Sequence, residues 1–257
     1  MPLQEVQARL RSAGIENARW EAQLLTDALQ GEALQAAVER RCTGYPLQYL
    51  LGEWYFWREC YEVNEHCLIP RSDTELLVEC AVRELPQGAH FLDLCTGSGC
   101  VAVSTLCSRP DTKAVGLDLF EKTLRLAERN GKRNGVADRL TLTLADVLQP
   151  PPVTLAPGSF DAILSNPPYI RGDVIPTLQK EVQYEPVAAL FGGEDGLDFY
   201  RAILHHWTEL LAPDGVILLE IGYDQADALR ALGEEKGFSC TVYRDLGGND
   251  RVVRFRR

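Results

Sequence analysis

His90-Phe91-Leu92-Asp93-Leu94-Cys95-Thr96-Gly97-Ser98-Gly99-Cys100-Val101-Ala102 is the stretch that decides the fold. Its opening, HFLDLC, reads as an apolar strand, and GCVAVSTLCS from Gly99 onward reads as a helix. Between the two, Gly97 and Gly99 let the backbone turn sharply and approach a ligand without interference from a Cβ. Working outward, KAVGLDL (113–119) is a strand and EKTLRLAERNGKRNG (121–135) a helix, followed by the strands RLTLTLA (139–145) and FDAILSN (160–166). GVILLEIG (215–222) is a further strand and DQADALRALGEEKG (224–237) a helix. FSCTVYRD (238–245) and RVVRFRR (251–257) close the chain as a hairpin. Repeated β-α units predict an α/β domain, a parallel sheet covered by helices. Such sheets bind ligands beyond the carboxyl ends of their strands, near the point where the strand order reverses.

Upstream the texture differs. Leu3, Val6 and Leu10, then Ala18, Ala22 and Leu25, then Leu34, Ala37 and Val38 recur at helical steps, with Gly14, Gly31 and Gly44 at plausible helix ends. Residues 1–51 are therefore expected to form a small helical domain. Residues 52–70, GEWYFWRECYEVNEHCLIP, are aromatic and β-prone and are expected to form a hairpin linker, with Trp54, Phe56 and Trp57 as interdomain core. Residues 71–257 hold the α/β domain. It opens on a helix that Ser72 is expected to cap, with Glu75 completing a capping box. Gln149-Pro150-Pro151-Pro152 reads as a stiff surface loop.

Composition narrows the function classes. The 257 residues carry 37 acidic and 26 basic side chains, a net charge of −11, with 46% hydrophobic and 25% charged residues. That is globular composition, and the acidic balance disfavours non-specific nucleic-acid binding, which needs clustered Lys and Arg. No apolar run approaches the roughly 18 residues that span a bilayer, and MPLQEVQARLRSAG lacks the apolar segment of a signal peptide. A soluble, cytoplasmic protein without membrane partners is expected. The 8 cysteines contain no C-x-x-C pair and no histidine at ligand spacing, so reduced, mostly buried thiols are expected and no metal.

The candidate site gathers at strand ends. Asp93, Cys95, Thr96, Gly97, Ser98 and Gly99 form the cofactor loop, and Asp118 ends the next strand, where an acid can accept both ribose hydroxyls. Gly97-x-Gly99-x-x-Ala102 also satisfies a relaxed dinucleotide fingerprint, so the loop alone does not separate a nicotinamide cofactor from S-adenosylmethionine. Asp146-Val147 ends the third strand; the carboxylate could take an adenine amine with Val147 behind the ring, or Asp146 could simply cap a turn. Ser165-Asn166-Pro167-Pro168-Tyr169 ends the fourth. Two prolines remove two N–H groups and fix two φ angles, and Pro167 pushes Asn166 toward an extended conformation. Asn166 and the Pro167 carbonyl then present two rigid acceptors beside the aromatic face of Tyr169, which suits a planar –NH2 group. That nitrogen has a delocalised lone pair. Accepting its hydrogens while stacking its plane aligns it with an electrophilic methyl, so catalysis is positioning and dipole stabilisation.

The glycine loop, Asp118 and Asn166-Pro167-Pro168-Tyr169 resemble those of class I S-adenosylmethionine methyltransferases acting on planar amino nitrogens. Leu68-Ile69-Pro70-Arg71-Ser72-Asp73-Thr74-Glu75, Tyr184-Glu185-Pro186, Gly193-Glu194-Asp195-Gly196-Leu197-Asp198 and Asp245-Leu246-Gly247-Gly248-Asn249-Asp250-Arg251 narrow the resemblance to the HemK/PrmC family of release-factor glutamine methyltransferases over nearly the whole chain. The resemblance implies a seven-stranded, Rossmann-like sheet and methylation of the glutamine amide in the Gly-Gly-Gln motif of class 1 release factors. S-adenosylmethionine is the implied cofactor, transfer is direct, and the small domain and hairpin help hold the protein substrate. It also implies that Asn166 and Pro167 accept the amide hydrogens, that Tyr169 packs on the amide plane beside Pro168, and that Asn166 borders the cofactor. The family's loop commonly begins with Gly where this chain has Cys95; if that position needs φ > 0, Cys costs about 1 kcal/mol. Rival readings are a ribosomal-protein glutamine methyltransferase, an adenine-N6 or guanine-N2 nucleic-acid methyltransferase, and a nicotinamide-dependent oxidoreductase. His205-His206 reads as structural or surface, and Glu220, Glu185 and Arg71 carry no assigned role.

Overall fold

The computed structural model describes all 257 residues. The apolar periodicity at the N-terminus becomes α1 (Leu3–Ser12), α2 (Ala18–Ala28), α3 (Gly31–Cys42) and the short α4 (Leu47–Leu51). Val6, Leu10, Ala22, Leu25 and Val38 close on one another as a separate apolar cluster. Within the same helices the Arg41 guanidinium, itself buried, forms a bidentate pair with Glu21 at 2.5 and 2.9 Å.

A tight turn at Gly52 leads into β1 (Glu53–Phe56) and β2 (Glu59–Glu62), an antiparallel hairpin in the register Glu53↔Glu62. The hairpin is shorter than the 52–70 segment expected; residues 63–71 run on toward the site with no strand partner. Trp54 packs against both the helical cluster and the main core, Phe56 is buried, and the Trp57 indole donates to Ser108 Oγ at 3.1 Å. The expected capping box does not form. Ser72–Thr74 make a 3-10 turn, α5 starts only at Glu75 (Glu75–Glu84), and the Glu75 carboxylate accepts the Trp57 N–H at 2.9 Å. Trp57 sits at φ 57°, in the hairpin turn, where its N–H has no strand partner; the carboxylate meets that demand first.

The main sheet comprises β3 (His90–Leu94), β4 (Lys113–Asp118), β5 (Leu140–Leu144), β6 (Phe160–Ser165), β7 (Leu211–Glu220), β8 (Ser239–Arg244) and β9 (Asp250–Arg256). Its order is β5-β4-β3-β6-β7-β9-β8, with the first five strands parallel and β9 antiparallel to both neighbours. Both faces are buried, so neighbouring residues of one strand enter different cores: Phe91 and Leu92, Ala162 and Ile163, Leu218 and Leu219. One face is covered by α5 and by α6 (Cys100–Ser108). α8 (Asp198–Ala202) and α9 (Ala226–Glu235) cover the other, while α7 (Glu121–Arg133) packs on β4 and β5. The order reverses at β3: the chain winds outward through β4 and β5, then crosses to β6. Above that point the ends of β3, β4 and β6 come together.

Between β6 and β7 lie three isolated 3-10 turns, α8, a π-helical turn, Ile203–Trp207, and a fourth 3-10 turn, Thr208–Leu210, that runs on from it. His205 and His206 sit in that turn, away from the strand ends. No helix is long and apolar enough to cross a membrane.

Candidate active site

Three single residues of left-handed backbone, at alternate positions, shape the loop after β3: Cys95 at φ 58°, Gly97 at 57° and Gly99 at 82°. Cys95 thus occupies the conformation in which a side chain is strained by about 1 kcal/mol. Asp93, buried beneath the loop, holds it from inside by accepting the Thr96 hydroxyl at 2.6 Å and the Ala102 N–H at 3.2 Å. Burial pushes the Asp93 carboxyl up to about 7, against these two hydrogen bonds. From outside, Asn130 on α7 donates to the Ser98 carbonyl at 2.9 Å. A Cβ on Gly99 would stand 3.2 Å from that of Ala127, so α7 and the loop approach as closely as glycine permits.

The loop forms one wall of a cavity lined by ten of the sequence-selected residues: Asp93, Cys95, Thr96, Gly97 and Ser98 from the loop, Asp118, Asp146 and Val147 from the next two strand ends, and Asn166 and Pro168 from β6. Asp118 is anchored from below, its oxygens accepting Gly97 N–H at 3.0 Å and Phe120 N–H at 3.1 Å. Each oxygen keeps a second lone pair, and burial raises its pKa. Asp146 does cap a turn, accepting the Leu148 N–H through Oδ1 at 2.9 Å; its other oxygen takes no bond within the protein. The Trp207 indole fixes the Val147 carbonyl at 2.9 Å.

Gly99, Pro167 and Tyr169 are not part of the cavity wall. Gly99 is the hinge that starts α6, and Pro167 is buried behind Asn166. Tyr169 points its hydroxyl at Glu220 Oε1, 3.4 Å away. Asn166 is the better-placed member. Its amide nitrogen donates to Thr74 Oγ1 at 3.0 Å, while neither its Oδ1 nor the Pro167 carbonyl accepts a hydrogen bond from the protein. Two adjacent acceptors therefore stand free at the end of β6.

Sequence reasoning gave Thr74 and Arg71 no assigned role and passed over Leu119, Phe120 and Phe199; all five line the same cavity. A signal existed for Leu119 and Phe120: two large apolar residues directly after a strand-end acid, both about half exposed (51% and 47%). The four segments that narrowed the resemblance converge behind the acceptors. Glu185 is buried, accepts the Ile69 N–H at 2.9 Å and pairs with Arg71. Arg251 bridges Asp73 at 3.2 Å and Asp245 at 3.1 Å. Gly196, at φ 77°, abuts the Tyr169 carbonyl so closely that a Cβ would overlap it. Gln225 ties this corner together, donating from Nε2 to the carbonyls of Tyr169 and Gly196, both at 3.1 Å.

A seven-stranded sheet of this order, with a glycine loop and a strand-end acid at the reversal point, defines a methyltransferase of the class I fold. The family model described as methyltransferase small domain matches residues 72–185. A methyltransferase from Pyrococcus furiosus shares the fold with a TM-score of 0.58, covering 76% of this chain and 87% of that one at 19% identity. Over 95% of its length the chain is 39% identical to the release factor glutamine methyltransferase of Geobacter sulfurreducens, spanning 91% of that protein. It is equally 39% identical to the one from Cereibacter sphaeroides, over 95% of this chain and 93% of that protein. The chain belongs to the release factor glutamine methyltransferase family, and it is an enzyme of that class.

Proposed function

We propose that the protein methylates the side-chain amide nitrogen of the glutamine in the Gly-Gly-Gln motif of class 1 release factors, with S-adenosylmethionine as donor. The observation that carries this reading is the pair of free acceptors, Asn166 Oδ1 and the Pro167 carbonyl, beside a cavity walled by the glycine loop.

The cavity fits the cofactor. Asp93, Asp118 and Asp146 surround it with carboxylates, a setting for a ligand bearing an ammonium and a sulfonium. Asp118 has unused lone pairs for ribose hydroxyls, and the buried Ser98 Oγ has no partner in the protein. When bound, the cofactor supplies an electrophilic methyl. What the chain supplies is orientation. Asn166 Oδ1 and the Pro167 carbonyl take the two amide hydrogens, which holds the amide plane and draws electron density toward its nitrogen. Two fixed φ angles at Pro167 and Pro168 mean that this geometry costs little reorganisation. Tyr169 closes the far side of the amide. No strong base is required, and the Cys95 thiol, its pKa raised well above the ordinary value by burial, stays protonated and does not act as a methyl carrier.

The proposed organisation is a docking domain over residues 1–51, a hairpin linker over 52–70 and the catalytic domain over 71–257, acting in the cytoplasm without stable nucleic-acid binding. The helical domain is tied to the loop that carries Glu185: Arg41 bonds Glu181 at 2.5 Å, and Tyr45 packs edge-on against Tyr184. A protein substrate held by the small domain would thus bear directly on the site. The test incubates the protein with labelled S-adenosylmethionine, purified release factor, ribosomal proteins and RNA, then maps the label by mass spectrometry. Label on the Gly-Gly-Gln glutamine is the expected result; label on RNA or a ribosomal protein overturns the substrate. Asn166→Ala should cut transfer at least about a hundredfold and leave cofactor affinity within a few-fold.

A further inference from the structure

A buried arginine in the helical domain has one partner more than its charge requires. Arg41 on α3 is already matched within that domain, where its Nε and Nη2 reach both oxygens of the Glu21 carboxylate. The same Nη2 donates at 2.5 Å to Glu181, 140 residues further along the chain. Side-chain exposure is 3% at Arg41, 9% at Glu21 and 44% at Glu181. A second carboxylate on one guanidinium repels the first, and a pair whose acid is half exposed adds little stability. What it does is fix the place of one segment against another. We propose that residues 181–190 are a strut between the helical domain and the substrate acceptors, and that Glu181, held by Arg41, is a positioning residue that sets where a docked release factor presents its glutamine. The inference rests on the functional reading given above, with the helical domain as the docking site.

The strut is anchored at both ends and in its middle. At the helical end Glu181 heads the 3-10 turn Val182–Tyr184, and the Tyr184 ring stands edge-on to that of Tyr45 with 5.2 Å between centroids. The Tyr184 and Thr43 hydroxyls lie 3.4 Å apart. In the middle Glu185, its side chain 1% exposed, accepts the Ile69 N–H and pairs with Arg71, both in the segment that runs into the site. At the far end the Leu190 carbonyl accepts the Ile170 N–H at 2.8 Å, and the Gly192 N–H donates to the Ile170 carbonyl at 2.9 Å. Ile170 directly follows Asn166-Pro167-Pro168-Tyr169. One short segment thus joins the domain that holds the protein substrate to the loop that holds its amide. Removing the Glu181 bond frees the helical end of the strut. The release factor still docks, because the helical domain itself is untouched, but its glutamine arrives off the line that Asn166 and Pro167 require. An error of about 1 Å there is worth about a hundredfold in rate. Such a fault lowers kcat and leaves KM nearly unchanged.

The test measures kcat and KM for release-factor methylation, cofactor affinity by calorimetry and unfolding in urea for wild type, Glu181→Ala, Glu181→Gln and Tyr184→Ala. Glu181→Ala leaves the buried Arg41–Glu21 pair whole. It should lower kcat at least about tenfold, with KM and the cofactor dissociation constant within about threefold of wild type and the urea midpoint close to it. Tyr184→Ala, which removes the other contacts at the same end, should do likewise. Glu181→Gln keeps an acceptor for the Arg41 N–H and should return kcat to within about threefold of wild type. Wild-type kcat in Glu181→Ala overturns the inference. So does an effect confined to KM, which would make the segment a docking contact only, and so does Glu181→Gln no faster than Glu181→Ala. If Glu181→Ala fails to fold, Tyr184→Ala decides alone by the same split between kcat and KM. Wild-type protein that transfers no methyl to release factor refutes the functional reading itself, a distinct outcome.

Discussion

Gly192 offers a way to move the substrate acceptors without touching them. It is buried against the back of the Pro168-Tyr169 backbone, held there by its N–H on the Ile170 carbonyl at 2.9 Å and by the Asp198 N–H on its own carbonyl at 3.0 Å. A Cβ at this position would stand 2.6 Å from Tyr169 Cα and 2.7 Å from the Pro168 carbonyl oxygen, where ordinary contact starts at 3.4 Å. The difference, 3.4 − 2.6, means Gly192→Ala must separate the two backbones by about 0.8 Å. Its φ lies outside the left-handed region, so alanine meets no conformational strain there and the whole effect is displacement. Neither backbone can yield by a rotamer change, and the two prolines stiffen the loop. Misplacing a reacting group by about 1 Å costs about a hundredfold in rate, or about 2.7 kcal/mol of barrier. Overpacking lowers stability by a further ~1–3 kcal/mol. The assay is kcat for release-factor methylation with unfolding in urea alongside. The control is Gly158→Ala, at φ 69° with open space around it, which should lose about 1 kcal/mol of stability and keep its turnover. Gly192→Ala with wild-type kcat, or Gly158→Ala as slow as Gly192→Ala, would refute the claim that the loop's position limits the rate.

Three further outcomes are expected. Asp118→Ala removes the acceptor assigned to the ribose hydroxyls and also frees the Gly97 N–H, so calorimetry should show cofactor binding at least about tenfold weaker; an unchanged constant rejects that role. Asp93 titrates at about 7 because it is buried, so above that pH it adds a negative charge to a cavity that takes a cationic cofactor. Affinity should therefore weaken as pH falls from about 8 to 6, and Asp93→Asn should remove the trend; a pH-independent constant in wild type contradicts it. Cys95→Gly relieves about 1 kcal/mol of left-handed strain but gives up the packing of a half-buried thiol, terms of similar size. Unfolding free energy should stay within about 1 kcal/mol of wild type; a loss more than twice that would show that the thiol's packing outweighs the strain.

The elements legible in the sequence are those whose cause is local. The central strands of the main sheet are apolar runs that bury both faces, and runs such as FDAILSN or GVILLEIG announce this with no help from elsewhere. Asn166-Pro167-Pro168 was legible for the same reason: two prolines dictate their own backbone. The strain at Cys95 was legible only through the resemblance, since the family commonly has glycine at the position where this chain has Cys95 at φ 58°. What stayed hidden is which polar group answers which. Ser72 and Glu75 have the spacing of a capping box, yet Glu75 was claimed by the Trp57 N–H, 18 residues earlier. Thr74 holds Asn166 across 92 residues of chain, and Gln225 reaches Tyr169 across 56; a threonine in a turn and a glutamine before a helix carry no mark of such partners. The secondary structure of residues 171–210 was unreadable for a related reason, although two short segments within it carried the resemblance. The 3-10 turns there follow no apolar period and exist because Gly192, Gly196 and Glu185 must fit against the β6 loop and the Ile69-Arg71 segment. The acceptors themselves are thus written in one short motif, while the side chains that aim them are scattered over the chain and become a group only when the sheet brings its strand ends together.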